Sequence, residues 1–261
     1  MPTDSNADFV VSIASYPKRD HFLPAVFEAL TRQIIKPQKW ILVLSMEEYP
    51  NGLPKHLKKL QNRGIEIIWS KNNPFAVKKL IPVIEKYPNL AVITLDDDII
   101  YHINIIQNLV ENKFAATRCI VGHVGKVLYK KGRHLNMMYR GKQPASLSTP
   151  SDQVFLIGCG GIYYPAKSLG NRAMNLNAIS KIVPGRGSDI WFWAAAIAKG
   201  TEQICIGTPK DYNFGIPIPQ NKQTAPKDRP GGDELEIRFQ KTIDYFEIRE
   251  KLLNCLPEKY R

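Results

Sequence analysis

Long apolar runs are missing from this chain: nothing approaches the ~18–20 residues needed to cross a membrane, and Met1 to Asp8 is polar, without the apolar core of a secretory signal. Together these absences predict a cytoplasmic protein with a short disordered tail over residues 1–8. Cysteine is scarce. Cys119, Cys159, Cys205 and Cys255 are far apart and form no CxxC pair, which argues against a zinc site and a disulfide framework and predicts reduced, mostly buried thiols. Acidic residues are outnumbered, 24 Asp and Glu against 36 Lys and Arg, and the resulting formal charge of +12 calls for an anionic partner. A nucleotide, a nucleic acid, an acidic glycan and an anionic membrane surface all meet that description. Internal repeats are absent, and no Pro/Gly/Ser linker divides the chain.

What is present begins with alternating strands and helices. Phe9 to Ala14 reads as a first strand, and Asp20 is placed to cap a helix with its buried stripe at Leu23, Val26, Phe27, Leu30 and Ile34. Trp40 to Leu44 and Ile65 to Trp69 read as further strands, separated by the Asn51-Gly52 turn and a short helix carrying Leu53, Leu57 and Leu60. A helix over Ala76 to Lys86, kinked at Pro82, leads to the apolar run Leu90 to Leu95. Ile103, Ile106, Leu109 and Val110 line another helix. This β-α-β-α order is the signature of a doubly wound, largely parallel sheet. Right-handed crossovers then bring Ser15 to Arg19, Asn72-Asn73 and the end of the fourth strand to one edge.

At that edge stand three consecutive aspartates, Asp96, Asp97 and Asp98. Carboxyl ends of strands are where open α/β sheets bind ligands. Three adjacent like charges need a cation, and oxygen-only ligands select a hard one, Mg²⁺ or Mn²⁺, which would hold phosphate in turn.

The second half is less regular. Cys119 to Val124 and Val154 to Ile157 read as strands. Gly125 to Pro150, with Lys126, Lys130, Lys131, Arg133, His134, Arg140 and Lys142 among Tyr129 and Tyr139, reads as a basic loop or hairpin. Gly158-Cys159-Gly160-Gly161 suggests backbone close to a ligand or to another strand. Ser188 is placed to cap a buried helix through Lys199, closed by Gly200. Gly207 to Gly232 reads as a Pro- and Gly-rich loop, and Leu235, Phe239, Ile243, Phe246 and Leu253 as one face of a final helix.

Ser15-Tyr16-Pro17-Lys18-Arg19, Lys78-Lys79-Leu80, the aspartate triplet in the manner of a DxD motif, Gly160-Gly161-Ile162-Tyr163-Tyr164-Pro165 and Ser188-Asp189-Ile190-Trp191 together resemble the GT-A glycosyltransferases that build bacterial surface polysaccharides. The resemblance runs from about residue 9 to residue 206. It implies a single Rossmann-like α/β domain of the GT-A fold, with a nucleotide-sugar half (9–115), an acceptor-binding and catalytic half (116–232) and a C-terminal helix (233–261). It also implies an inverting, metal-assisted enzyme that transfers a sugar from a nucleotide-diphosphate sugar, UDP-linked by preference, to a glycan or lipid-linked acceptor.

In that scheme Asp98 binds Mn²⁺ or Mg²⁺ directly and Asp96 assists it or binds the ribose. Asp97 is a spacer on the nucleotide-sugar side. Ser15, Tyr16, Arg19 and Asn73 read the base, and Lys79 the ribose or phosphates. Gly160, Gly161 and Trp191 meet the acceptor, and Asp189 is the general base. The chain departs from the pattern in one respect. All five histidines (His21, His56, His102, His123 and His134) precede Asp189, so water, Asp211 or Asp233 would have to complete the metal shell.

Two other readings stand beside this one. A sugar-phosphate nucleotidyltransferase shares a related core, but it is expected to show a Gly-rich loop after the first strand, where Ser15 to Arg19 has none. A basic nucleic-acid-binding protein would account for the charge, yet no helix-turn-helix, zinc-finger or RNP pattern is present. The basic segment 126–142 is instead expected to meet an acidic or lipid-linked acceptor, or the anionic inner face of a membrane.

Overall fold

The computed structural model describes residues 1–144, 149–207, 214–220 and 232–259, with side chains of 141–144 and 232–233 left out of the description. In chain order the elements are β1 (Phe9–Ala14), α1 (Leu23–Leu30), β2 (Trp40–Ser45), α2 (Lys55–Asn62), β3 (Ile65–Ser70), α3 (Ile81–Lys86), β4 (Ala91–Leu95), β5 (Ile99–Tyr101) and α4 (Ile105–Val110). They continue with β6 (Ile120–Gly122), β7 (Gly125–Lys131), β8 (His134–Pro144), β9 (Val154–Leu156), β10 (Ile162–Tyr164), α5 (Leu176–Ile182), α6 (Ser188–Lys199), β11 (Gln203–Cys205), β12 (Gly215–Pro217), α7 (Gly232–Tyr245) and α8 (Arg249–Cys255).

The central sheet has the order β11-β6-β10-β4-β1-β2-β3, and only β10 runs against the rest. Both of its faces are covered, as its continuously apolar strands require. Phe9, Val11 and Ile13 of β1 face α1, α2 and α4, while Val10 faces the side packed by α3, α6, α7 and α8. This is the Rossmann-like, mostly parallel α/β architecture the sequence predicts. The carboxyl ends of β1, β2, β3 and β4 share one edge.

Several local expectations are corrected. The Ala76–Lys86 helix is two pieces, a 3-10 stretch Phe75–Lys79 and then α3, separated at Leu80, with Pro82 in the first turn of α3 where its missing N–H costs nothing. The break turns Lys78 and Lys79 inward, so both are buried. Asp20 does not cap a helix; it lies buried and accepts from the Tyr49 hydroxyl at 3.0 Å and pairs with His56 at 3.1 Å. Ser188 is the first residue of α6 rather than its cap, which is Gly187 in the left-handed region. Ile34 and Ile103 lie outside α1 and α4 and are exposed. The final helix is divided into α7 and α8, with Glu247 at positive φ between them.

The basic segment is the β7–β8 hairpin, in a second sheet of order β8-β7-β9 packed against α7 and α8. Part of its charge is spent there. Arg133 pairs with Glu250 at 2.7 Å, and the Lys130 ammonium donates to the Leu253 carbonyl and lies 3.9 Å from Glu258. Lys131 and Lys259 both lie over the Tyr139 ring. Among the described residues no helix is long and apolar enough to cross a membrane.

Candidate functional site

β1 and β4 are neighbours, so the turn after β1 and the acidic turn after β4 meet where both strands end. There the three carboxylates meet cations of the chain itself. Asp96 Oδ1 pairs with Lys79 Nζ at 2.8 Å. Asp97 accepts from Ser15 Oγ at 2.6 Å and lies 3.2 Å from Arg19 Nη2, and the same nitrogen also contacts Asp98. Asp98 further accepts from the side-chain amide of Gln220, while its carbonyl accepts from Ile218 N at 2.8 Å, which ties the strip around β12 to the triplet.

Asp189 joins this group from the first turn of α6. Its Oδ2 accepts from Gly158 N at 3.2 Å, and a Cβ built on Gly158 would stand 3.0 Å from Asp189 Oδ1 and 3.1 Å from Lys79 Nζ. The Lys79 ammonium, paired with Asp96, and the Asp189 carboxylate thus both border the space that a side chain at position 158 would fill. Tyr101 braces the arrangement: its hydroxyl accepts from Asp96 N at 2.8 Å and donates to the Cys159 carbonyl at 3.0 Å.

The electrostatics follow from burial in a cluster of mixed charge. Burial opposes a charged Lys79, but Asp96 and Asp189 outweigh it and hold the ammonium more firmly protonated than usual. Burial raises the Asp96 carboxyl, yet Lys79 and Arg19 more than compensate and leave it below its ordinary value. Asp97, the most enclosed of the three, is pushed up to about 6 by burial despite Arg19 and Ser15. Burial also raises Asp189, against the pull of Lys79 and of the Gly158 N–H. The Cys159 thiol is pushed up to about 12 by burial and by the nearby carboxylates, which leaves it neutral.

Of the residues expected from the sequence, the edge thus gathers Ser15, Arg19, Lys79, Asp96, Asp97, Asp98 and Asp189. Tyr16 stacks beside Arg19, with the guanidinium 5.9 Å from its ring centroid. Asn73 lies farther along, accepting from Phe75 N at 3.1 Å and facing Lys78, which also pairs with Glu48.

Three expectations are corrected. Asp97 is not a spacer, since it binds Ser15 and Arg19. Gly160 and Gly161 are required by protein packing: a Cβ on Gly160 would strike Val124 at 2.4 Å, and Gly161, at φ +80°, abuts Leu95. Trp191 is fully enclosed, donating Nε1–H to the Ala173 carbonyl at 2.9 Å and stacked on Tyr245, so it has no surface to offer an acceptor. The sequence reading missed Gly158 and Tyr101. The GCGG run marked the neighbourhood of the first, and nothing local marked the second.

A divalent ion fits this donor set in one form only. Among the described residues no three His, Cys, Asp or Glu side chains converge to hold a metal, and each carboxylate of the triplet already faces a cation of the chain. Mg²⁺ is commonly held by one or two carboxylates plus substrate phosphates. Asp98 and Asp96, the two members of the triplet that are partly open to solvent, suit that shared arrangement. Asp211 lies outside the described residues, as does the side chain of Asp233, and so do Lys142 as a side chain and most of the 207–232 loop.

No family model matches the chain, and no curated protein matches it. Among solved structures it is similar to a 4-diphosphocytidyl-2C-methyl-D-erythritol synthase (12% identity, TM-score 0.47, covering 83% of this chain and 94% of the other). It is also similar to a CMP:2-keto-3-deoxy-manno-octonic acid synthetase in complex with CTP (11% identity, TM-score 0.42, covering 77% and 89%). Both are named for cytidine-nucleotide synthesis, and neither carries the name of a glycosyltransferase, the activity expected from the sequence; that expectation is not carried forward.

Proposed function

We propose that this chain is a nucleotidyltransferase that joins the nucleotidyl group of a nucleoside triphosphate to a phosphorylated sugar-type acceptor. The observation that carries this reading is the buried Lys79, paired with Asp96 and within the electrostatic reach of Asp189, with Arg19 held on Asp97 and Asp98. Two fixed cations at the strand ends suit a reaction in which negative charge gathers on phosphate oxygens. An acceptor phosphate oxygen attacks the α-phosphorus, the α–β phosphoanhydride bond breaks, and pyrophosphate leaves with the bonding electron pair. The attacking phosphate is already ionised at neutral pH, so no general base is required. Asp189 then serves to position Lys79.

A Gly-rich loop, whose backbone amides cradle phosphate in many nucleotide sites, is absent after β1. In its place the turn 15–19 supplies Lys18 and Arg19 side chains, and the charge of +12 favours a polyanionic ligand. Mg²⁺ or Mn²⁺, held by Asp98 and Asp96 together with the nucleotide, would neutralise the departing pyrophosphate as a Lewis acid. Nucleotide binding at this edge accords with a transferase; the base and the sugar are set by the experiment.

That experiment follows pyrophosphate release from each of the four ribonucleoside triphosphates with Mg²⁺ and a panel of sugar phosphates. The expected result is release that requires both a nucleotide and a sugar phosphate and that disappears in Lys79→Met. Absence of release with every pair would overturn the proposal.

A further inference from the structure

Arg19 holds its two carboxylates in an uneven way. One nitrogen, Nη2, faces both Asp97 Oδ1 and Asp98 Oδ2, while Nε is buried and has no hydrogen-bond partner among the described residues. A guanidinium offers five donors in a planar fork that matches a carboxylate or phosphate two bonds at a time. Here one nitrogen serves both acids, and Nε is idle. The side chain is nevertheless fixed, with Tyr16 along one face and only 15% of its surface exposed. It occupies the approach to Asp98 that a hard cation would need.

We propose that Arg19 is an exchangeable counter-cation: it neutralises Asp97 and Asp98 in the unliganded protein, then leaves Asp98 to grip the arriving phosphates with its fork. This inference rests on the polyphosphate ligand proposed above and adds an order to its binding. While Arg19 sits on Asp98, a second cation there meets a guanidinium instead of a free carboxylate, so the chain has little affinity for a divalent ion alone. A nucleotide supplies phosphate oxygens for Nε and Nη2, satisfies the idle donor, and frees Asp98 to share an ion with those phosphates. Metal binding is thereby conditional on nucleotide, through one side chain and without movement of a domain. Asp97 stays behind with the hydrogen bond from Ser15 Oγ, so the released carboxylate is Asp98 and not its buried neighbour. Gln220, which also donates to Asp98, is the second contact that must give way.

The test titrates the full chain with Mn²⁺ and reads free Mn²⁺ by electron paramagnetic resonance, with and without CTP or UTP as the probe. Wild type is expected to bind Mn²⁺ weakly alone and roughly tenfold or more tightly with a nucleotide bound, as a neighbouring charge of this kind commonly weighs. Arg19→Gln should bind Mn²⁺ alone roughly tenfold more tightly than wild type and lose most of the nucleotide-induced gain. Arg19→Lys, which keeps the charge but loses the fork, should keep Mn²⁺ affinity low in the absence of nucleotide while weakening nucleotide binding. Wild type that binds Mn²⁺ equally well with and without nucleotide would overturn the proposal, even if neither variant folds. A folded Arg19→Gln protein with unchanged Mn²⁺ affinity would do the same. Pyrophosphate release is a separate readout, so its absence with the Mn²⁺ pattern intact would count against the reaction and leave the role of Arg19 standing.

Discussion

Lys79 Nζ lies 2.8 Å from Asp96 Oδ1 and directly over Gly158, whose missing Cβ would come within 3.1 Å of the ammonium and 3.0 Å of Asp189 Oδ1. A buried cation between two acids is costly to disturb, because a charge left without its partner in a low-dielectric site loses both hydration and compensation. Gly158 is the cheapest place to disturb it, since its backbone has an ordinary φ and the change adds one methyl group.

Gly158→Ala is therefore expected to push Lys79 and Asp189 apart by a few tenths of an ångström. Turnover should fall by a factor of a few, short of the roughly 10²-fold that a 1 Å misplacement costs, while the melting temperature changes little. Steady-state kinetics beside a thermal melt check this. A variant with full activity would show that the Lys79–Asp189 spacing is unimportant.

Asp97 carries the opposite sign of effect, because burial raises its carboxyl from 3.8 to about 6. Below pH 3.8 the group is protonated in both folded and unfolded chains and costs nothing. Above about pH 6 it is ionised in both, and the folded state bears the whole penalty. Stability is thus lost as pH rises through this window, by about 3 kcal/mol for a shift of this size. Asn imitates the protonated acid and can still accept from Ser15. Asp97→Asn should stabilise the protein by up to that amount at pH 7.5 and flatten the dependence of stability on pH between 4 and 7, as read by denaturant melts. Destabilisation at pH 7.5 would mean that the ion pair with Arg19 outweighs burial.

The strands of the first half and their shared edge were legible because each is a short apolar run bounded by turn residues, from Phe9 to Ala14 through Ala91 to Leu95. Period and punctuation decide such elements locally. The charge balance of the site was not legible. Lys78 and Lys79 lie in what the sequence presents as one continuous helix, and only the break at Leu80 turns both inward, while Arg19 reaches Asp97 across 78 positions of sequence. The three acids therefore seemed to demand an outside cation when the fold supplies two of its own. Trp191 fails for a related reason: an aromatic two residues from Asp189 is indistinguishable in sequence from a sugar platform, and only the packing of α6 under α7 shows it to be core. The pair α7 and α8 read as one helix since the apolar spacing continues across Glu247, whose left-handed backbone is invisible to periodicity.

Asp189 offers the sharpest division between positioning and proton transfer. Burial raises its carboxyl, Lys79 opposes that shift, and Gly158 N–H fixes one oxygen, so the group faces a cation within the protein. Asparagine keeps an oxygen for the Gly158 N–H but removes one of the two charges that hold Lys79. With an acceptor that is already ionised, Asp189→Asn should lower turnover by roughly tenfold, the weight of a single displaced contact, with the nucleotide KM nearly unchanged. Loss of a general base costs about 10²–10⁴-fold and abolishes the acid limb of the rate profile. Kinetics of the variant from pH 5 to 9 separate the two. A drop beyond 10³-fold together with loss of the acid limb would show that a proton is taken at Asp189, and that the acceptor is a hydroxyl and not a phosphate.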